Sequence, residues 1–88
     1  MVVEFLKQFS KDLDNLVGAT VKRQVLELIE EFESSDSLPK IANLKKLKGH
    51  KNAYRVRLGD YRIGFFHHRN TVTFARLLHR KEIYKQFP

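Results

Sequence analysis

Tyr54-Arg55-Val56-Arg57-Leu58-Gly59-Asp60-Tyr61-Arg62-Ile63-Gly64-Phe65 reads as two strands joined by a Gly59-Asp60 turn. Apolar and polar residues alternate on both sides of a two-residue, glycine-containing connection, which is a strong short-range hairpin signal. With Gly59 and Asp60 at the turn, Leu58 faces Tyr61, Val56 faces Ile63 and Tyr54 faces Phe65, so one face is apolar. On the other face Arg57 lies opposite Arg62, and Arg55 lies opposite Gly64. Like charges directly opposite one another destabilise a sheet. Three arginines and a glycine on one face therefore look built for an anion, because guanidinium groups bind phosphate in a planar, bidentate way. The glycine leaves room for a close approach to the backbone. The plainer alternative is a solvated outer face that happens to be basic.

Charge reinforces the first reading. The chain has 88 residues and a formal net charge of +7. Residues 1–44 hold five Lys or Arg against eight Asp or Glu, whereas residues 45–88 hold twelve against only Asp60 and Glu82. The halves thus carry −3 and +10. Such asymmetry points to nucleic acid or another polyanion, and an acidic protein partner satisfies it equally. The chain length fits one domain over residues 1–88. No apolar run approaches the ~18 residues that a membrane span needs. The first apolar stretch carries Glu4 and Lys7, unlike a signal peptide. The absence of cysteine excludes a disulfide scaffold and a thiolate zinc site, and it fits a cytoplasmic protein.

Around the hairpin, Val2–Phe5 reads as a strand. Phe9, Leu13 and Leu16 recur at helical spacing, with Ser10 as N-cap and Asp12 in the first turn. Gly18 ends that helix and Thr20 caps the next, whose stripe is Val21, Val25, Leu28, Ile29 and Phe32. Pro39 opens a loop in which Leu44 and Leu47 anchor the chain while Lys45, Lys46 and Lys48 stay in water. After the hairpin, residues 66–70 form a turn and Thr71–Leu78 a strand. The tail from His79 passes into a short terminal helix or turn. The order β-α-α-β-β-β predicts an α+β fold. Two antiparallel N-terminal helices pack on one face of a mostly antiparallel four-stranded sheet, and the other, arginine-bearing face stays open.

Most catalytic constellations are missing. His67 and His68 are adjacent, have no carboxylate nearby and sit in positive surroundings, so no metal site is expected. Gly59 and Gly64 lack the spacing of nucleotide-binding loops, and no serine stands in a nucleophile elbow. No cofactor is expected. Phosphodiester cleavage in RNA remains, because the substrate's own 2′-hydroxyl can be the nucleophile. The protein must then accept the 2′ proton, stabilise charge on the phosphorane and protonate the leaving 5′-oxygen. Arg55, Arg57 and Arg62 suit the second task. His79, Arg80 and Tyr84 add titrating or stacking groups if the tail folds onto the hairpin. Lys45, Lys46, Lys48, Lys51 and Lys81 are candidates for general phosphate contacts. Each has a plainer reading: Tyr84 packs with Phe87 in the core, His79 is an ordinary strand-end residue, and Arg80 pairs with Asp60 or Glu82.

The assembled pattern resembles the RelE/ParE superfamily, the toxins of toxin–antitoxin pairs. The resemblance is carried by Phe9…Lys11-Asp12-Leu13…Leu16, by Leu47-Lys48-Gly49, by Tyr54–Ile63, and by His79-Arg80-Lys81-Glu82-Ile83-Tyr84. It implies, for the RelE branch, a metal-independent ribonuclease that cuts messenger RNA in the ribosomal A site. By position, Arg55 and Arg57 match that branch's hairpin lysines, and Arg62 matches the arginine of the next strand. Arg80 and Tyr84 match its C-terminal arginine and tyrosine. Arginine in place of lysine is a departure: it does not deprotonate, so a lysine general-base role does not carry over, and His79 is the candidate to titrate instead. The resemblance also implies a cognate antitoxin covering the basic face. Its ParE branch poisons DNA gyrase, and a non-catalytic relative that binds RNA or antitoxin reads the same way.

Overall fold

The computed structural model describes residues 1–16 and 18–88. The central hairpin forms in the register its alternation dictates. Strands β3 (Ala53–Leu58) and β4 (Tyr61–His68) pair Leu58 with Tyr61, Arg57 with Arg62, Val56 with Ile63, Arg55 with Gly64 and Tyr54 with Phe65. Gly59 has φ of +60° and Asp60 does not share the positive sign, the pattern of a type II′ turn, in which glycine takes the first central position.

Around this hairpin, β1 (Val2–Phe5), β2 (Leu44–Lys46) and β5 (Thr71–His79) complete a five-stranded sheet of order β1-β5-β4-β3-β2. β1 runs parallel to β5 and the remaining pairs are antiparallel. The expected sheet lacked β2. Leu44-Lys45-Lys46 is too short for alternation to show, and it becomes a strand only by pairing with Tyr54–Val56. Its neighbours divide as expected of anchors, with Leu44 half-buried towards one core and Leu47 towards another.

Helices α1 (Lys7–Asp14) and α2 (Ala19–Ser34) bury Phe9, Val25, Leu28 and Phe32 against Val56, Ile63, Phe65, Val72, Phe74 and Leu77 of the sheet. Phe32 meets Phe65 and Phe74 edge-on, at 5.2 and 5.1 Å between ring centres, a favoured aromatic geometry. Both expected caps are displaced. β1 runs directly into α1, whose N-cap is Leu6, so Ser10 lies inside the helix. The Leu6 N–H donates to Phe74 O at 2.9 Å, so a sheet hydrogen bond fixes the start of α1 where a side-chain cap was expected. Helix α1 ends at Asp14, ahead of Gly18; Gly18, at φ +110°, is the N-cap of α2, and Thr20 sits in its first turn.

The second face is not open. Helix α3 (Arg80–Gln86) folds back across it, burying Ile83 and the following Phe87 against Ala53 and Ala75, with Leu47, Phe66 and Leu78 packed around them. Gly64 is explained here. A Cβ at that position would stand 2.5 Å from the Phe87 ring, so the strand glycine is the seat of Phe87. The close approach inferred from the sequence is made by the protein's own tail.

Candidate active site

The strand pairing assembles a cationic surface beside α3. Across the sheet, Lys45 lies opposite Arg55, Arg55 opposite Gly64, and Arg57 opposite Arg62. Beyond Gly64 the face is occupied by Phe87, so the charge concentrates at the β2–β3–β4 end. Tyr84 projects from α3 over this end, and the Arg55 guanidinium sits 4.4 Å from its ring centre. That is cation–π range. Tyr84 is 70% exposed, so it is not the core residue of the plainer reading; Phe87 is.

Two further contacts shape the cleft. Asn43, at φ +64°, uses its backbone carbonyl to accept the Arg57 N–H (3.1 Å) and its side-chain oxygen to accept from the Arg57 guanidinium (3.3 Å). Arg62 donates to the carbonyls of Gly59 and Tyr61, both at 2.8 Å, which draws its guanidinium back towards the turn. The result is a cleft of about 330 Å³ lined by Asn43, Leu44, Lys45, Arg55, Arg57, Arg62 and Tyr84. Among the described residues, no carboxylate lines it. Burial lowers the Arg62 pKa from its ordinary value, the charge of Arg57 lowers it further, and Arg55 and Arg80 act in the same sense. Arginine remains a cation at neutral pH regardless. The cleft is therefore a cluster of like charges held together by the fold, which an entering anion would relieve. Among the described residues, no three His, Cys, Asp or Glu side chains gather in a metal-binding group.

Comparison with known proteins bears on what such a cleft belongs to. The family described as ParE toxin of type II toxin-antitoxin system, parDE, matches residues 3–84. Toxin RelE3 of Methanocaldococcus jannaschii is 44% identical over 89 residues, an alignment that spans both chains completely. The chain belongs to the RelE/ParE superfamily of toxin–antitoxin toxins. Among solved structures, it superposes on a chain of the RelB-RelE antitoxin-toxin complex from Methanococcus jannaschii with a TM-score of 0.82. That match has 41% identity and covers 97% of this chain and 99% of the other. A chain of the archaeal RelE-RelB complex from Pyrococcus horikoshii OT3 matches with a TM-score of 0.74 and 28% identity, covering 90% and 93%.

Within this superfamily fold, the expected site residues divide into three groups. Lys45, Arg55, Arg57, Arg62 and Tyr84 meet in the cleft. Arg80 stands at its margin. As the first residue of α3 it donates its N–H to Asp60 O at 2.8 Å, and its charge is felt by Arg62. Among the described residues no ion pair joins it to Asp60 or Glu82. Lys48 lies in an adjoining cleft, and Lys51 is farther along the β2–β3 turn.

The rest do not join the cleft. Lys46 pairs with Tyr54 in the sheet and its ammonium lies 6.0 Å from that ring, on the α1/α2 side. Lys81 is exposed on α3 away from the cleft lining. His79 is the N-cap of α3. Its Nδ1 accepts the Lys81 N–H at 3.2 Å, and its ring meets Tyr61 edge-on at 5.8 Å, so it does not line the cleft. Asn43 was not singled out by sequence reasoning. Its one signal is that Asn tolerates positive φ, and nothing local tied it to Arg57 fourteen residues on.

Proposed function

We propose that this chain is the ribonuclease toxin of a toxin–antitoxin pair, cutting messenger RNA in the ribosomal A site, and so in the cytoplasm, without a metal ion. The observation that carries this reading is the cleft in which Arg55, Arg57, Arg62, Lys45 and Tyr84 converge with no carboxylate among them. Preorganised cations act most strongly where charge develops in a transition state. A phosphodiester seated among these groups meets charge on several sides. The substrate's 2′-oxygen attacks phosphorus as its proton passes to water, the P–O5′ bond breaks, the departing O5′ takes a proton from the Tyr84 hydroxyl or from water, and the products are a 2′,3′-cyclic phosphate and a 5′-hydroxyl. Arg57 and Arg62 stabilise the phosphorane, Arg55 assists and orients Tyr84, and Tyr84 stacks on a base or donates from its hydroxyl. Arg80 adds to the field. His79 acts through the helix cap that places Arg80 and Tyr84, not through proton transfer.

An antitoxin partner follows from the same cleft. An acidic segment laid across the arginines would relieve their repulsion and block substrate, and the relatives from Methanococcus jannaschii and Pyrococcus horikoshii were crystallised as antitoxin–toxin complexes. Gyrase poisoning is the second reading, favoured by the family match over residues 3–84 to the ParE toxin description.

Primer extension on messenger RNA shortly after induction separates them, with Arg57→Ala and Arg62→Ala alongside and the reaction repeated on purified ribosomes with chelator. Cleavage within translated frames that survives chelator and disappears in both variants is the expected result. Growth arrest with intact messenger and altered plasmid supercoiling would move the assignment to gyrase.

A further inference from the structure

Arg57 stands between two clefts of opposite charge. β2 pairs only with Tyr54–Val56, so Arg57 lies at the edge of β3 just beyond it. There it lines both the cationic cleft and a smaller one, of about 220 Å³, on the α2 side. Glu27 and Glu31, one turn apart on α2 and both exposed, line the smaller cleft with Asn43 and Arg57. The forces on the Arg57 guanidinium point towards those carboxylates. Arg62 lies directly opposite on β4, and like charge pushes Arg57 outward. A long, flexible stem lets the guanidinium follow. Yet among the described residues no ion pair joins Arg57 to Glu27 or Glu31.

Asn43 accounts for this. At φ +64° it brings its backbone carbonyl and its side chain to bear on the same residue. The carbonyl accepts the Arg57 N–H at 3.1 Å, and Oδ1 accepts from the Arg57 Nη2 at 3.3 Å. Asn, Asp and Gly tolerate this backbone conformation and most other residues do not. An amide oxygen orients a guanidinium without cancelling its charge, whereas a carboxylate in the same place would do both. We infer that Asn43 is a positioning residue: its neutral side chain holds Arg57, still fully charged, at the phosphate cleft and away from Glu27 and Glu31. Arg57 then has two seats, one facing substrate and one neutralised against α2, and Asn43 decides between them. The inference rests on the RNA-cleaving reading for what the cleft binds, and it deepens that reading by naming what keeps the phosphate-binding cation in place.

The test follows two quantities in the full chain. One is the Arg57 Nε–Hε resonance of the isotopically labelled protein, identified by its loss in Arg57→Ala. The other is the affinity for a 2′-O-methyl dinucleoside monophosphate, which presents one uncleavable phosphodiester. Asn43→Gly keeps the positive φ and the backbone bond to Arg57 and removes only the side-chain tether. It is expected to weaken the dinucleotide about fivefold, the order of one hydrogen bond. Adding Glu27→Gln and Glu31→Gln to Asn43→Gly is expected to move the Arg57 resonance and restore most of the lost affinity. The same two changes beside an intact Asn43 are expected to alter neither. Asn43→Asp, which keeps the geometry but neutralises Arg57, is expected to weaken the dinucleotide more than Asn43→Gly does. In the Arg57→Ala background, Asn43→Gly should cost nothing further. Three results overturn the inference: an Arg57 resonance that ignores the two glutamates in the Asn43→Gly background, an affinity gain equal in both backgrounds, or an equal loss from Asn43→Gly without Arg57. Should the parent bind no dinucleotide, the nuclease reading falls, and the resonance alone decides the positioning role by the same criterion. The full pattern of couplings with no cleavage on ribosomes supports the positioning role and removes the nuclease.

Discussion

Arg57 and Arg62 face one another across two strands, an arrangement that costs stability and has no compensating carboxylate in the cleft. A residue retained against its contribution to the fold is a mark of function. Arg57→Ala is therefore expected to abolish cleavage while leaving the melting temperature unchanged or slightly raised; a clear loss of thermal stability would show Arg57 to be structural. Gly64 makes the opposite case, a residue whose role is steric. In Gly64→Ala the new methyl collides with the Phe87 ring at 2.5 Å, and that ring is packed against Phe66, 5.2 Å away between centres. Overpacking of this kind costs about 1–3 kcal/mol, and the strain falls on α3 and hence on Tyr84. Cleavage should drop sharply in Gly64→Ala and recover in part when Phe87→Leu makes room. Absence of that recovery would place the defect elsewhere. His79→Ala should remove the α3 cap at a cost of about 1 kcal/mol and lower activity without changing the shape of the pH–rate profile. A flattened profile would restore His79 to proton transfer.

Among the elements, α3 is held by more than its apolar underside. β1 stops pairing at Phe74, which leaves the following part of the β5 edge to α1. Asp12 of α1 takes over there. Its Oδ2 accepts the Leu77 N–H at 2.9 Å and the Arg76 Nε at 2.8 Å, and its Oδ1 accepts from the Arg76 Nη2 at 3.2 Å. Arg76 also donates to Gln86 Oε1 at 3.2 Å, so one guanidinium ties α1, β5 and the end of α3 together. Burial works against the charged form of Asp12, but the hydrogen bonds from Arg76, Leu77 and Gln8 outweigh it and hold the carboxyl below its usual range. A depressed carboxylate pKa contributes stability that is present above the unfolded value and lost as pH falls through the folded one. Asp12→Asn should thus cost about 2 kcal/mol near neutral pH, the scale of a charge-assisted bond to a half-buried partner. The gap to the parent should narrow as pH falls below about 4, as read from denaturant midpoints across that range. A gap that persists unchanged in acid would contradict the ion-pair origin. The start of α1 is likewise set by the sheet. Helical periodicity locates a helix better than its ends: α1 begins where a sheet bond to Phe74 places it, so Asp12 lies beyond its first turn.

For the whole molecule, the charge division of the chain becomes a division of space. The acidic residues of the first half lie largely on α1 and α2, which cover one face of the sheet, while the arginines and Lys45 cluster at one end of the other. RNA binding should therefore be strongly salt-dependent. For a strand contacting about three phosphates, log K should fall with log salt at a slope of about −2, roughly 0.7 per phosphate on single strands. Arg62→Ala should reduce that slope; a slope near zero would remove phosphate contacts as the basis of binding.

Alternation around Gly59-Asp60 was enough to determine the hairpin, its register, its apolar face and the opposed arginines, because strand geometry places residues two apart on one face and the turn sets the pairing. The charge split, the helical stripes and the superfamily were legible for the same local reason. Tertiary structure alone decided what lies far apart along the chain. It seated Phe87 on Gly64, set Tyr84 over Arg55, made a strand of Leu44–Lys46, turned His79 into a cap and joined Asp12 to Arg76. Each of these depends on where α3 or α1 comes to rest. That is set by which apolar surfaces meet in the fold, and no local periodicity in the sequence records it.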